Sequence, residues 1–291
     1  MKRFLLESSL FGILAVVILY LVIKGLCLTE SRMVHVDPDV HIAFLGNSHI
    51  EAGVNDSLIE HSINWGRASE LPEFVYAKTR MLKRCNPQID TVIIGFDIIL
   101  GFRPGFMEFS STLSHPFFYG EYDTHDWLAI LQGSDYCYWS NFLLYPLSWE
   151  KLKDLPQMIR PGRTLREFKS LGGYVPITHD KLQEVLQKET PYPQGGRQMA
   201  PCAEYFFRRT LDFCRDNGIK VIFICPPEYR QSFSHDKISH KLEHQRLFPE
   251  VPFYDDIDKV MPDSCFADVT HLNYKGARLY SEYLNQMLNN R

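Results

Sequence analysis

Apolar residues occur in short unbroken runs along the chain, and amphipathic segments separate several of them. Runs that are apolar at every position are typical of strands buried in parallel sheets. Apolar residues repeated at helical spacing predict helices between them. This alternation predicts an α/β fold with three layers, in which a mainly parallel sheet lies between two layers of helices. The predicted strands are residues 41–46, 61–64, 90–96 and 219–225, and the predicted helices are residues 69–83, 202–216 and 274–289.

A long segment between the third and fourth predicted strands does not keep this alternation. Residues 101–200 are rich in aromatic residues and proline, and they contain two short helix-like pieces at 148–158 and 179–188. We therefore predict an insertion of about a hundred residues in the α/β domain. It is either purely structural or a cap that shapes a substrate groove, because open α/β sheets bind ligands at the carboxyl ends of their strands.

The longest apolar run lies near the N-terminus. Residues 10–23 contain no charged residue and follow Lys2 and Arg3. The stretch from 4 to 28 provides the roughly 20 residues that a transmembrane helix needs. A cleaved signal peptide is the alternative, but no small-x-small cleavage site follows the run, which favours an uncleaved signal anchor. The predicted organisation is a signal anchor at residues 1–28, a linker at 29–40 and an α/β domain at 41–291 on the extracytoplasmic, periplasmic side.

Composition narrows the class of protein. Apolar residues at 45% and charged residues at 23% are ordinary for a globular protein. A net charge of -4 without a run of Lys and Arg argues against nucleic acid as a partner. The sequence identifies no protein partner and no cofactor. Six cysteines follow the apolar segment, and their spacing matches neither a disulfide scaffold nor a zinc motif. We therefore predict that they are buried thiols, and a single disulfide among them is the alternative. They are Cys85, Cys137, Cys202, Cys214, Cys225 and Cys265.

Ser48 is the first candidate for chemistry. It lies two residues after Gly46 in "IAFLGNSHIE", at the carboxyl end of the first predicted strand. On its own the serine equally fits a helix cap in a turn. A serine nucleophile also needs a base that takes its proton and a carboxylate that orients the base. "FADVTHLNYKG" supplies both residue types, Asp268 and His271, immediately before the last predicted helix.

Together these two motifs resemble the SGNH (GDSL-like) hydrolase superfamily, whose first block is Gly-Asp-Ser after the first strand and whose last block is Asp-x-x-His before the terminal helix. Here the blocks read "GNSH" and "DVTHLNYKG", and the resemblance covers roughly residues 40–100 and 200–291. It implies a flavodoxin-like fold with Ser48 as nucleophile, His271 as general base and Asp268 as its orienting carboxylate. It also implies a serine esterase or O-acyltransferase that acts on acyl esters, including those of cell-surface glycans.

The middle blocks of the superfamily fit this chain less closely. The second block provides a backbone N–H for the oxyanion, and in "NWGRASELP" either Gly66 or Ser69 stands at that place. The third block normally provides an Asn side chain, where "GFDIILG" has Asp97. An ionised Asp cannot donate a hydrogen bond and repels a developing oxyanion. The alternative function is therefore a catalytically weakened glycan-binding or assembly protein on the same fold. Divergent membrane-anchored members of the superfamily that transfer acyl groups also differ from the usual sequence in these blocks.

Two histidine features remain open at the level of sequence. His49 follows Ser48 directly, and it fits either a substrate contact or an exposed turn. "HKLEH" at residues 240–244 has the H-x-x-E-H form of inverted zinc peptidases, since histidines four apart on a helix share one face. Its polarity and the lack of a third ligand helix favour a solvated helix face instead, so we predict no metal site.

Overall fold

The computed structural model of the chain contains the predicted parallel sheet between helices. It describes residues 7–15, 17, 18, 21, 34–96, 116–133, 172–187, 199–229 and 239–290. The strands are β1 (Ile42–Leu45), β2 (Ser62–Asn64), β3 (Thr91–Gly95), β4 (Lys220–Cys225) and β5 (Phe253–Asp255). The helices are α1 (Ser48–Gly53), α2 (Pro72–Cys85), α3 (Thr124–Gly133), α4 (Leu182–Gln187), α5 (Pro201–Asp216), α6 (Ser239–Leu247) and α7 (Tyr274–Asn289).

Within the described residues the strands form one parallel sheet in the order β2-β1-β3-β4-β5. The first four strands confirm those predicted from the apolar runs, whereas β5 was not predicted. Because every strand runs in the same direction, all of the carboxyl ends lie along one edge of the sheet. Ser48 follows β1 at this edge.

Each face of the sheet has its own apolar core. Ile93 and Ile94 are neighbours in β3 and therefore point to opposite faces. Ile94 packs in the core that α2 and α5 cover, where Phe206 is fully buried. Ile93 packs in the core that α7 covers, where Leu284 is fully buried. The two cores establish the predicted three layers.

The predicted helix boundaries agree closely with the structure at α5 and α7. α2 begins at Pro72 and not at residue 69, because proline suits the first turn of a helix and Ser69 has a left-handed φ of +59°. The helix predicted at residues 179–188 is the shorter α4. The helix predicted at residues 148–158 lies outside the described residues.

Part of the insertion predicted at residues 101–200 packs on the outer helices. Tyr122 donates a hydrogen bond to the carbonyl of Glu73 at 3.0 Å. Arg209 of α5 pairs with the fully buried Asp126 of α3 at 3.0 Å. These contacts fix residues 116–133 against α2 and α5, and the parts of the insertion outside the described residues are 101–115, 134–171 and 188–198.

The domain includes part of the predicted linker at residues 29–40. Val34 and Val40 are both buried in the core. The side chain of Asn86 donates to the carbonyl of Val34 at 2.6 Å and accepts from the N–H of Val36 at 2.9 Å. The chain is therefore attached to the sheet from residue 34 onward.

The predicted signal anchor at residues 1–28 is described only in part. Residues 7–15, 17, 18 and 21 are helical. Among the described residues, no helix has both the length and the apolar character needed to cross a membrane. The anchor therefore stays a prediction. The large apolar side chains that the described part exposes are Leu10, Phe11, Ile13, Leu14, Val17, Ile18 and Leu21.

Candidate active site

Ser48 is held at the edge of the sheet by a sharp turn between β1 and α1. Gly46 has a φ of +141°, a conformation that L side chains rarely adopt. Asn47 caps α1 by accepting the N–H of His49 at 2.9 Å, which places Ser48 in the first turn of the helix. A Cβ at Gly46 would lie only 2.8 Å from Ile50 of α1, so glycine also permits the helix to lie close to the strand.

The loop before α7 fixes Asp268 and His271 relative to each other. One Asp268 oxygen accepts the backbone N–H groups of Thr270 and His271, both at 2.8 Å. The carbonyl of His271 accepts from Ala267 N at 2.9 Å. Asn273 caps α7 by accepting the N–H groups of its first turn. These short-range hydrogen bonds make the D-x-x-H loop rigid and direct both side chains toward α1.

The structure brings the three predicted residues together across 223 positions of sequence. Nε2 of His271 lies 2.8 Å from Oγ of Ser48. Nδ1 of His271 lies 3.1 and 3.0 Å from the two oxygens of Asp268. With the proton on Nδ1 donated to Asp268, Nε2 accepts the hydroxyl proton of Ser48. The arrangement is therefore able to deprotonate the serine and to stabilise the imidazolium that forms.

Asp268 is strongly biased toward its charged form. Partial burial acts to raise its pKa, but the hydrogen bond and charge of His271 and the backbone N–H groups of Thr270 and His271 outweigh burial and hold the pKa well below its ordinary value. Thr270 Oγ also donates to the same carboxylate at 3.1 Å. Asp268 is thus a fixed anion behind the imidazole, which is the state that an orienting carboxylate needs.

The predicted oxyanion donors have different surroundings. The N–H of Gly66 donates to the side chain of Asn64 at 2.8 Å, so it already has an acceptor. Among the described residues, neither the backbone N–H of Ser69 nor that of Ser48 itself donates a hydrogen bond within the protein. Ser48 lies in the first helical turn, where N–H groups lack intrahelical partners. The predicted donor Asp97 lies outside the described residues.

Two polar side chains attach the loop after β2 to α1, and neither was predicted. The buried amide of Asn64 donates to the carbonyls of Ile50 and Val54 at 2.8 and 2.6 Å while it accepts from Gly66. Glu51 accepts the N–H of Ala68 at 2.9 Å. These hydrogen bonds therefore attach the loop to the helix that carries Ser48. The signal in the sequence that could have identified Asn64 is a polar residue at the end of the predicted strand "HSIN".

Burial raises the pKa of Glu51, and the hydrogen bond from Ala68 and the nearby Arg67 act in the opposite direction. His271 also lowers the pKa of Glu51, although more weakly. A second carboxylate thus lies within electrostatic range of the imidazole.

A segment of the insertion crosses the site between the two loops. Gly173 N donates to Gly66 O, and Val175 N donates to Glu51 O, both at 3.0 Å. Further along, Ile177 O accepts from Tyr274 N at 3.0 Å at the start of α7. Backbone hydrogen bonds therefore connect residues 172–177 in turn to the loop after β2, to α1 and to α7. This segment forms one wall of the site.

Of the two alternatives that the sequence left open for His49, the structure excludes the exposed turn. His49 is 5% exposed, and its ring meets that of His271 edge to face, with 5.1 Å between the centroids. The exposed turn was an alternative because a polar residue in a turn usually faces solvent. Here the short α1 turns His49 inward and places it against the imidazole that faces Ser48.

The predicted solvated helix face at "HKLEH" is wrong. His240 and His244 of α6 are 2% and 8% exposed. His244 Nε2 contacts the carbonyl of Val251 at 2.8 Å. Glu243 accepts the N–H of Met199 at 3.0 Å and pairs with Arg246. The helix therefore faces the sheet with its histidines, and the H-x-x-E-H glutamate serves packing contacts.

Comparisons with known proteins give structural similarity alone. No family model matches the sequence, and no curated protein sequence matches it. A solved structure of a proposed acylhydrolase from Bacteroides fragilis is 11% identical, with 91% of this chain and 94% of that chain covered and a TM-score of 0.40. The structure of a proposed platelet activating factor from Streptococcus pneumoniae is 11% identical, with coverages of 94% and 98% and a TM-score of 0.45. A GDSL-like lipase from Bacteroides thetaiotaomicron is 10% identical, with coverages of 92% and 97% and a TM-score of 0.42. At this similarity the functional interpretation rests on the geometry of the site.

Proposed function

We propose that the protein is an SGNH-like serine esterase or O-acyltransferase. The observation that carries the proposal is the continuous contact from Ser48 Oγ through His271 to Asp268, at 2.8 Å on the serine side and 3.0 Å on the carboxylate side. These separations are within the range that proton transfer to a general base requires. The roles are Ser48 as nucleophile, His271 as general base and acid, and Asp268 as the anion that orients the imidazole.

In the first half of the reaction, Ser48 Oγ attacks the carbonyl carbon of an acyl ester while its proton passes to His271 Nε2. Asp268 stays ionised and stabilises the imidazolium. The tetrahedral intermediate collapses as the ester C–O bond breaks, and His271 returns the proton to the leaving alcohol. The acyl group is now an ester of Ser48.

In the second half, water or a sugar hydroxyl gives its proton to His271 and attacks the acyl-enzyme. Ser48 leaves with that proton, and either a free acid or a new ester is released. Oxyanion stabilisation is assigned to the backbone N–H groups of Ser48 and Ser69, because the N–H of Gly66 is occupied by Asn64. Fixed backbone donors of this kind stabilise charge as it develops in the transition state.

The substrate class and the location are further parts of the proposal. We propose an acyl ester of a cell-surface glycan, reached on the extracytoplasmic side of a membrane to which residues 1–28 attach the chain. The exposed apolar side chains of the described N-terminal residues support the anchor. The wall formed by residues 172–177 beside the serine supports a site that binds an extended substrate.

The experiment that tests the chemistry is turnover of an acetyl-ester probe by the full chain and its Ser48→Ala and His271→Ala variants. We expect each substitution to lower kcat by about 10⁴-fold or more, because the two groups act as a unit. Ser57→Ala and His125→Ala change exposed residues and serve as matched controls. Unchanged turnover in both site variants would overturn the proposal. The same assay with an added oligosaccharide measures the share of acyl groups transferred instead of hydrolysed.

One observation favours the second candidate, a glycan-binding or assembly protein on the same fold. Of the predicted oxyanion donors, the N–H of Gly66 is engaged by Asn64 and Asp97 cannot donate when ionised. A fluorophosphonate probe separates the two functions. Covalent labelling of Ser48 that is lost in His271→Ala supports the enzyme, and a folded sample that binds glycan without being labelled supports the alternative.

A further inference from the structure

A second cluster of reactive side chains lies at the same edge of the sheet, under α6. Cys225 is the last residue of β4, Asp255 is the last residue of β5, and His240 is the second residue of α6. One ligand atom from each of the three lies within 4.8 Å of the other two. Cys225 is 0% exposed and His240 is 2% exposed, while the side chain of Asp255 is 20% exposed.

The register of the sheet explains why these residues meet. Cys225 is paired with Asp255 across β4 and β5, two positions beyond the pair Phe223 and Phe253. Side chains two apart on a strand point to the same face and lie about 6.6 Å apart. Histidines four apart on a helix are separated by about 6 Å along its axis. The two spacings match, so one helix can place a histidine over each pair.

The contacts of α6 follow this match. His244 lies over the aromatic pair, with its ring centroid 4.8 Å from that of Phe253 and 6.1 Å from that of Phe223. His240 lies over the second pair, with Nε2 3.1 Å from an oxygen of Asp255. His244 Nε2 contacts the carbonyl of Val251. His240 is therefore the histidine of α6 that faces the thiol and the carboxylate.

The three donors are a sulfur, an imidazole nitrogen and a carboxylate oxygen. Zinc binds these atoms at about 2.0–2.3 Å and prefers four ligands in a tetrahedron. Ligands of a tetrahedral ion lie roughly 3.3–3.8 Å from one another at these bond lengths, so the observed 3.1 Å between His240 and Asp255 is close to that of two ligands of one ion. The sequence did not indicate this site because its ligands come from three different elements and not from a short motif.

We propose that Cys225, His240 and Asp255 bind one Zn²⁺ ion, with water as the fourth ligand. Cys225 binds as the thiolate, so its proton is released when the ion enters. β1, which precedes Ser48, and β4, which ends at Cys225, are separated in the sheet by β3. The effect of the ion is to join α6 to the ends of β4 and β5, and the free energy of metal binding adds to the stability of the folded chain.

The test uses cobalt as a spectroscopic probe of the full chain without a histidine tag. Chelator-treated protein is titrated with Co²⁺ under reducing, oxygen-free conditions. We expect one equivalent to bind, with a thiolate-to-cobalt charge-transfer band, and Zn²⁺ to displace it and raise the thermal midpoint. We expect Cys225→Ser to remove the band. Asp255→Asn should weaken Co²⁺ binding by at least about tenfold, because losing a ligand lowers metal affinity at least as much as losing a residue that hydrogen-bonds to a ligand.

Cys214→Ser is the matched control, because Cys214 is also a buried thiol but lies in α5. It should keep the charge-transfer band and the stoichiometry. The proposal is overturned by wild-type protein that binds far less than one equivalent, or by a charge-transfer band that survives in Cys225→Ser. If Cys225→Ser does not fold, the wild-type titration and Asp255→Asn decide, since the carboxylate is partly exposed.

Discussion

At the scale of single residues, Asp268 has the most demanding position in the site. Its carboxylate accepts hydrogen bonds from two backbone N–H groups and from Nδ1 of His271. Asp268→Asn keeps the shape of the side chain but can donate to Nδ1 and so favours the wrong tautomer of the imidazole. We expect kcat for an acetyl-ester probe to fall by about 10³- to 10⁴-fold, and a variant with near wild-type kcat would contradict the assigned role.

The lowered pKa of Asp268 also predicts how the stability of the folded protein depends on pH in acid. Because its pKa in the fold is lowered, its ionised form stabilises the protein above the ordinary Asp pKa of about 3.9, and this contribution is lost as the pH falls through the lower folded value. Urea unfolding at about pH 5 and about pH 3 should therefore show a larger loss of stability in the wild type than in Asp268→Asn. Asp216→Asn, at an exposed position, should behave as the wild type does.

At the scale of elements, the position of the loop after β2 depends on α1. Glu51 on α1 accepts the N–H of Ala68 in that loop. Glu51→Ala should let the loop move and lower kcat by about ten- to a hundredfold with little change in KM, because small misplacements of donors are costly. Glu51→Gln keeps an acceptor oxygen and should restore most of the activity.

Glu250→Ala, at an exposed position in the turn after α6, is the control for this effect. If Glu51→Gln were as impaired as Glu51→Ala, the charge near His271 would matter and not the hydrogen bond to Ala68. If Glu51→Ala and Glu51→Gln changed kcat and KM no more than Glu250→Ala does, Glu51 would have no positioning role.

The elements whose bounds the sequence predicted most closely have a long, regular pattern. α5 and α7 each span 16 residues with a continuous apolar stripe, and β4 has six residues in an apolar run. β5 has only three residues, all half-buried, which are too few to form a recognisable apolar run. α1 has six residues, which are too few for a helical period to be recognised. Short elements of this kind are specified by their neighbours and not by their own pattern.

The site shows the same limit. Ser48, Asp268 and His271 could be predicted because their residue types and order are specific to one chemistry. His240 and His244 were expected at the surface because the segment around them is polar, and an exposed turn was one of two alternatives for His49. Their burial depends on hydrogen-bond partners supplied from distant positions, as in the contact of His240 with Asp255. No local signal in the sequence carries that information.

At the scale of the whole molecule, the N-terminal segment precedes both the packed domain and the candidate site. The packed domain begins by residue 34, where Val34 is buried and held by Asn86. The site is built from segments after this point, and the last of them includes α7 near the C-terminus. A segment before residue 34 can thus hold the chain at a surface without contributing a residue to the site.

This arrangement predicts the outcome of removing residues 1–28. The full chain should remain with membranes after alkaline carbonate extraction, because about 20 apolar residues suffice to span a bilayer. The shortened chain, which keeps Val34 and the start of β1, should appear in the soluble fraction with unchanged kcat for an acetyl-ester probe. A full chain that is extracted as readily as the shortened one would refute the anchor. A shortened chain that stays folded but loses turnover would instead show that the N-terminal segment contributes to the site.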